Sequence, residues 1–131
     1  LIMEIDPKSH LNENIFFMKT GNPLLDITFQ FSLDIVQFVE NLQLNKKFVI
    51  SHQLLKSGTS IGANCREAQH AESKADFIHK FKIAAKEIEE TIYWLELCKY
   101  SENYPNSDEL IEQINNISRI VNKIIITSKQ K

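Results

Sequence analysis

Residues 57–77 read SGTSIGANCREAQHAESKADF, and their first third puts two glycines, Gly58 and Gly62, four apart inside an otherwise helical pattern. Each costs roughly 1 kcal/mol of helix propensity relative to alanine. A helix that accepts both must gain from the missing side chains, and a neighbouring backbone lying unusually close is the simplest gain. The apolar positions around them support this. Ile50, Leu54, Gly58, Ile61, Cys65 and Ala68 follow one another at three- and four-residue steps, a single helical stripe whose middle is cut down to glycine. Ser73 then stands as the N-cap of a second helix beyond a short corner. The stretch specifies a tight helix, a corner and a long partner helix.

Three more helices are legible around it. The first is expected from Pro23 to about Leu42, proline being well placed at a helix start. Leu24, Phe31, Ile35, Phe38 and Leu42 make its inward stripe, and Leu25, Phe29, Leu33 and Val36 form a second apolar band on another side. The glycine-bearing helix is expected from Asn45 or Lys46 to about His70, with Asn64 buried. The next opens with Ser73 and Asp76, close to a capping box. It continues through Phe77, Phe81, Ala84, Ile88, Thr91, Leu95 and Cys98 at coiled-coil-like spacing. Ile83, Trp94 and Leu97 fall on its opposite side. In the last helix Ser107 is the expected cap, and Leu110, Ile114, Ile117, Val121 and Ile124 form the stripe. The fold class is therefore all-α, an antiparallel up-down-up-down four-helix bundle over residues 22–131, behind an N-terminal extension, residues 1–21. That extension has no sustained period, but Ile15, Phe16, Phe17 and Met18 give it an apolar cluster expected to dock in part.

Composition sets the outer limits. The chain has 131 residues, one domain's worth, with only three glycines and three prolines. No apolar run approaches the ~20 residues of a membrane span, and no basic-then-apolar leader marks export. Cys65 and Cys98 lack CxxC spacing and read as reduced core residues of a cytoplasmic protein. The histidines are scattered, and Glu67 with His70 makes a single E-x-x-H where di-iron bundles need two. No nucleophile elbow or phosphate loop is present. Catalytic residues, metal ligands and cofactors are accordingly not expected.

The residues Ser60, Gly62, Ala63, Asn64 and Glu67, followed by Ser73, Asp76, Phe77 and an alanine-containing helix to Glu90, carry a family likeness. On them the chain resembles the four-helix-bundle proteins encoded in intervening sequences of large-subunit ribosomal RNA genes. It is similar, more distantly, to the accessory variability proteins of diversity-generating retroelements. The likeness covers about residues 22–129. It departs from the common pattern at Lys86 and Glu87, where many relatives carry Gly-Ser, and at Arg66, where alanine is frequent. It implies a non-enzymatic homo-oligomer, a pentamer, whose partners include RNA, DNA or a nucleic-acid enzyme.

The residues themselves offer three surfaces. Gly58, Gly62, Ala63, Asn64 and Glu67 are expected to serve helix packing. Leu25, Phe29 and Leu33 of one chain are expected to meet Ile83, Trp94 and Leu97 of the next, because each helix of a small bundle needs only one buried face. A net charge of −2 excludes a strongly basic nucleic-acid binder. Yet residues 46–86 concentrate eight bases, Lys46, Lys47, Lys56, Arg66, Lys74, Lys80, Lys82 and Lys86, against three acids. These are the expected nucleic-acid contacts. The alternative is a small-molecule or enzymatic site around Ser60, Asn64 and Glu67.

Overall fold

The computed structural model describes residues 20–131, and these form four helices joined by short corners: α1 (Pro23–Leu44), α2 (Phe48–Ala68), α3 (Lys74–Tyr100) and α4 (Asp108–Lys129). No strand occurs among the described residues. The extension's apolar cluster and His10 lie outside them.

The helix ends follow from local chemistry. Asn22 caps α1, its side-chain oxygen accepting from the N–H groups of Leu24 and Leu25, with Pro23 at the first helical position. At the other end Lys46 adopts a left-handed φ of 61°. The N–H of Lys47 returns to the Leu42 carbonyl and that of Lys46 to Gln43, a Schellman closure. That closure corrects the expected start of the second helix: Asn45 and Lys46 end α1, and α2 begins only at Phe48. Its other end stops at Ala68, two residues early, because the N–H groups of Gln69, His70 and Ala71 turn to carbonyls three residues back.

Ser73 caps α3 as expected, its hydroxyl accepting from the Asp76 N–H at 3.0 Å. The Asp76 carboxylate reaches one residue further than a capping box does, to the Glu72 N–H. Ser107 occupies the cap position of α4 but does not cap it. Its buried hydroxyl donates to the Leu95 carbonyl of α3 at 2.8 Å, and the Asn106 side chain accepts from the Asp108 N–H instead.

Cross-helix contacts fix the topology. Gly58 lies against Ile35 and Gly62 against Thr28, so α1 and α2 run antiparallel. Ser57 meets Thr91, and Glu67 meets Lys80, reversing α3 against α2. Ser107 on Leu95 near one end and Lys131 on Lys74 at the other reverse α4 against α3, and α4 closes back on α1. The result is the expected four-helix bundle.

One core runs its length. It contains the expected stripes of α2, α3 and α4 almost intact: Leu54, Ile61, Cys65 and Ala68; Phe81, Ala84, Ile88, Leu95 and Cys98; Leu110, Ile114, Ile117 and Val121. Ile50, Phe77 and Ile124 are only partly buried against it. On α1 the stripe rotates by a fraction of a turn. Thr28 and Val39 are buried, and Phe38 lies at the edge. Thr28 was hidden from an apolar count by its hydroxyl, which is satisfied locally by the Leu24 carbonyl at 2.8 Å. Ser51 and Ser57 enter the α2 core on the same terms, through the Val39 carbonyl and the Thr91 hydroxyl.

Candidate functional site

The two glycines of α2 behave differently. A Cβ on Gly58 would stand 3.0 Å from both Cγ atoms of Ile35, which is fully buried. The close neighbour is thus a side chain rather than the backbone expected from the sequence. At Gly62, one turn later, a Cβ would meet Thr28, its backbone oxygen included, at an ordinary 3.4 Å. Gly62 instead forms the floor of a notch of ≈290 Å³ on the outside of the α1–α2 seam. Its walls are Leu25, Phe29 and Ser32 of α1 with Thr59, Ala63 and Arg66 of α2. The Arg66 guanidinium lies over the Phe29 ring at 5.9 Å.

Ser60, Asn64 and Glu67 turn the other way, toward α3. Asn64 is half-buried and donates to the Ser60 carbonyl and hydroxyl within its own helix. Glu67 is exposed and pairs with Lys80 at 2.9 Å, which raises the Lys80 pKa first by that hydrogen bond and then by charge. Asn64 and Ser60 are thus committed to each other, and Glu67 to Lys80. A buried side-chain pair does cross between α2 and α3: Thr91, a member of the expected stripe, donates at 2.9 Å to Ser57, which the apolar pattern passed over, and both are fully buried. Two serine-or-threonine residues at stripe positions of facing helices were the available signal.

The outer apolar bands are placed as two separate faces. On α1, Leu25, Phe29 and Leu33 are half-buried and Val36 is exposed. On α3, Ile83 and Trp94 are half-buried and Leu97 is exposed. The Trp94 indole N–H donates to Glu90 at 3.0 Å, and Tyr93 stands edge-on to the ring. Glu87, one turn before Trp94's Glu90, has its pKa raised by burial and then by the Glu90 charge.

The eight candidate bases are not brought together. Lys46 and Lys47 lie at the α1–α2 corner, and Lys47 covers the Tyr104 ring at 4.8 Å. Arg66 and Lys74 belong to the opposite end, some 28 Å away at ~1.5 Å per residue along α2. Lys56 sits between, facing Glu87. Arg66, Lys74, Lys80 and Lys82 lie toward one end of the bundle and Lys86 at mid-length of α3, level with Lys56, and antiparallel pairing adds bases from the C-terminal half of α4. The Lys74 ammonium reaches the backbone oxygen of Lys131, bringing Arg119, Lys123 and Lys129 beside the first half of α3. Sequence reading missed these because they lie more than thirty residues from Lys86; only the α3–α4 hairpin makes them neighbours. The acids Asp26, Glu67, Glu72 and Asp76 share this end.

Metal-ligand geometry is absent among the described residues, where no three His, Cys, Asp or Glu side chains come together. Cys65 and Cys98 are buried free thiols, and burial pushes them up to about 12 and about 11, so neither is a nucleophile at neutral pH. No helix of the described residues is long and apolar enough to cross a membrane.

The described residues thus form a four-helix bundle drawn tight at one seam by Gly58. The model of the 23S rRNA-intervening sequence protein family matches residues 24–123, and the chain belongs to that family. A crystal structure from Bacteroides thetaiotaomicron, of a protein with unknown function from the S23 ribosomal protein family, has the same fold. It is 42% identical, with a TM-score of 0.75, over 78% of this chain and 97% of that one. No curated protein matches the chain.

Proposed function

We propose that the protein is a non-enzymatic, homo-oligomeric adaptor that contacts nucleic acid through the basic end of its bundle. The feature that carries this reading is the antiparallel α3–α4 pairing, tied at Lys74 and Lys131, which sets Lys74, Lys82 and Lys86 of α3 at the same levels of the bundle as Lys129, Lys123 and Arg119 of α4. Phosphate contacts add with the number of cations presented. An assembly of copies, five by the family resemblance, multiplies them. The outer bands of α1 and α3 supply the glue: Leu25, Phe29 and Leu33 of one copy against Ile83, Trp94 and Leu97 of the next. A cytoplasmic setting suits the two buried free thiols.

Fluorescence anisotropy with short RNA and DNA at low salt tests the nucleic-acid reading. Binding should weaken steeply as salt rises. Lys82→Glu with Lys123→Glu should weaken it at least about tenfold, in line with several lost phosphate contacts. Lys46→Glu, at the opposite end, should leave it unchanged. Absence of binding, binding indifferent to salt, or equal loss from Lys46→Glu contradicts the proposal.

A further inference from the structure

The α1–α4 seam carries more polar chemistry than packing requires. Two hollows of ≈410 Å³ and ≈260 Å³ adjoin there and share Asp34 and Gln113. Together they run from Ile27 to Asn41 along α1, about 21 Å at ~1.5 Å per residue. The larger contains apolar Phe38 and Leu110, the smaller Ile27 and Ile117. The remaining lining is polar. Asn41 of α1 and Asn106 of α4 line one end, Gln30 and Asn116 the other. The Asp34 and Glu109 carboxylates stand between these amide pairs. A third hollow on the α4 side shares Glu109, Gln113 and Asn116 and adds Glu112 and Arg119.

Much of this lining is uncommitted. None of the three carboxylates forms an ion pair among the described residues. Asp34 accepts a hydrogen bond from the Gln30 amide at 3.0 Å. Asn41 and Asn106 engage their side-chain oxygens, with the Asn45 amide and the Asp108 N–H, which leaves their amino groups to donate. A ligand for this groove is elongated, cationic at its middle, and able to donate and accept at both ends. Nucleic acid has the wrong charge, three carboxylates against one guanidinium being repulsive to phosphate. A polyamine donates only, and leaves the amide amino groups without acceptors. An extended polypeptide meets every condition. At ~3.3 Å per residue about six residues fill the length, the backbone alternates N–H with C=O, and a basic side chain meets the carboxylates, arginine in bidentate fashion.

We propose that the α1–α4 groove binds an extended, basic segment of a partner protein. The Asn41–Asn106 and Gln30–Asn116 amides hold its backbone, and Asp34 with Glu109 holds a central arginine or lysine. Asp34 points about 140° from Phe29 around α1, so copies that meet through Leu25, Phe29 and Leu33 leave the groove open. The site does not depend on nucleic-acid binding at the basic end, and each is tested without the other.

Selection of a random hexapeptide library, displayed on phage, against the full chain tests the proposal. Enriched sequences should carry arginine or lysine at the third or fourth position. The consensus peptide, synthesised with a fluorescein label, should bind the full chain in anisotropy. Asp34→Asn with Glu109→Gln should weaken that binding at least about tenfold, the scale of lost charge-assisted hydrogen bonds. Gln113→Ala with Asn116→Ala, which keeps every charge, should weaken it at least about threefold. Glu96→Gln, which removes an exposed carboxylate from α3, should leave it unchanged. Spermidine at matched ionic strength should not displace the peptide; displacement at equal concentration makes a simple polycation the occupant and overturns the proposal. So do failure of any sequence to enrich, enriched sequences without a central base, binding that survives both double substitutions, or an equal loss from Glu96→Gln.

Discussion

The two seams that hold α1 in the bundle are built on opposite principles. Against α2, α1 presses Ile35 onto Gly58, where even a methyl group would come within 3.0 Å of it. Against α4 it leaves an open groove of ≈410 Å³, lined by Asp34, Gln37, Phe38 and Asn41 facing Asn106, Glu109, Leu110 and Gln113. Helix separation is set by the side chains at the contact. Glycine removes them on one side, while full-sized amides and acids stand between the helices on the other. The α1–α2 seam should therefore be sensitive to single atoms, and the α1–α4 seam tolerant.

Gly58→Val breaks the tight seam most severely. It forces two methyl groups into a packed contact and should cost about 2–3 kcal/mol in urea unfolding. Adding Ile35→Val should recover at least about 0.5 kcal/mol of that, because the two positions touch. Additive losses would show that Ile35 is not the neighbour that matters.

Alkaline pH should act next, through the thiols of α2 and α3. Cys65 and Cys98 rise from about 9 to about 12 and about 11 on folding. The unfolded chain then loses its thiol protons first, so stability is full below pH 9 and falls as pH climbs toward 11. The loss, summed over the two thiols, should be about 1–2 kcal/mol by pH 9.5, each thiol approaching about 1.4 kcal/mol per pH unit above 9. A Cys65→Ala, Cys98→Ala chain should lack this slope in its urea midpoints. If it keeps the slope, another group is responsible.

Gly62→Ala should reverse the sign of the Gly58 effect. Its Cβ would meet Thr28 at an ordinary 3.4 Å, so the helix-propensity gain of about 0.5–1 kcal/mol should raise the melting temperature. Smallest of all, Gln113→Ala in the α1–α4 groove should stay within about 0.5 kcal/mol of the parent. A larger loss there would erase the contrast between the seams.

The sequence carried this contrast only on one side. Glycines at stripe positions announce a close approach, and the stripes of α2, α3 and α4 transfer to the core nearly unchanged. What escaped was polar. Thr28, Ser51 and Ser57 are core residues whose hydroxyls find carbonyl or hydroxyl partners, and an apolar count passes over them. Ser107 holds the position of a helix cap, but its hydroxyl is committed to Leu95 twelve residues back. Lys46 ends α1 in a left-handed conformation more usual for glycine, so nothing in its identity marked a boundary. The surface suffered most. Lys46 and Arg66 look like members of one basic run but sit at opposite ends of α2, and Arg119 and Lys123 join the basic end only through the α3–α4 hairpin. The exposed Leu44, Phe48, Val49 and Tyr100 at the other end were not anticipated either.

Both seams leave the same apolar surplus on the outside of α1 and α3, and the adaptor proposal depends on copies covering it. Sedimentation velocity of the full chain at micromolar concentration measures that most directly. The expected result is a discrete assembly larger than one chain, which Phe29→Ser with Trp94→Ser disperses into folded, helical single chains. A compact monomer at that concentration, or an assembly untouched by the double substitution, would contradict it.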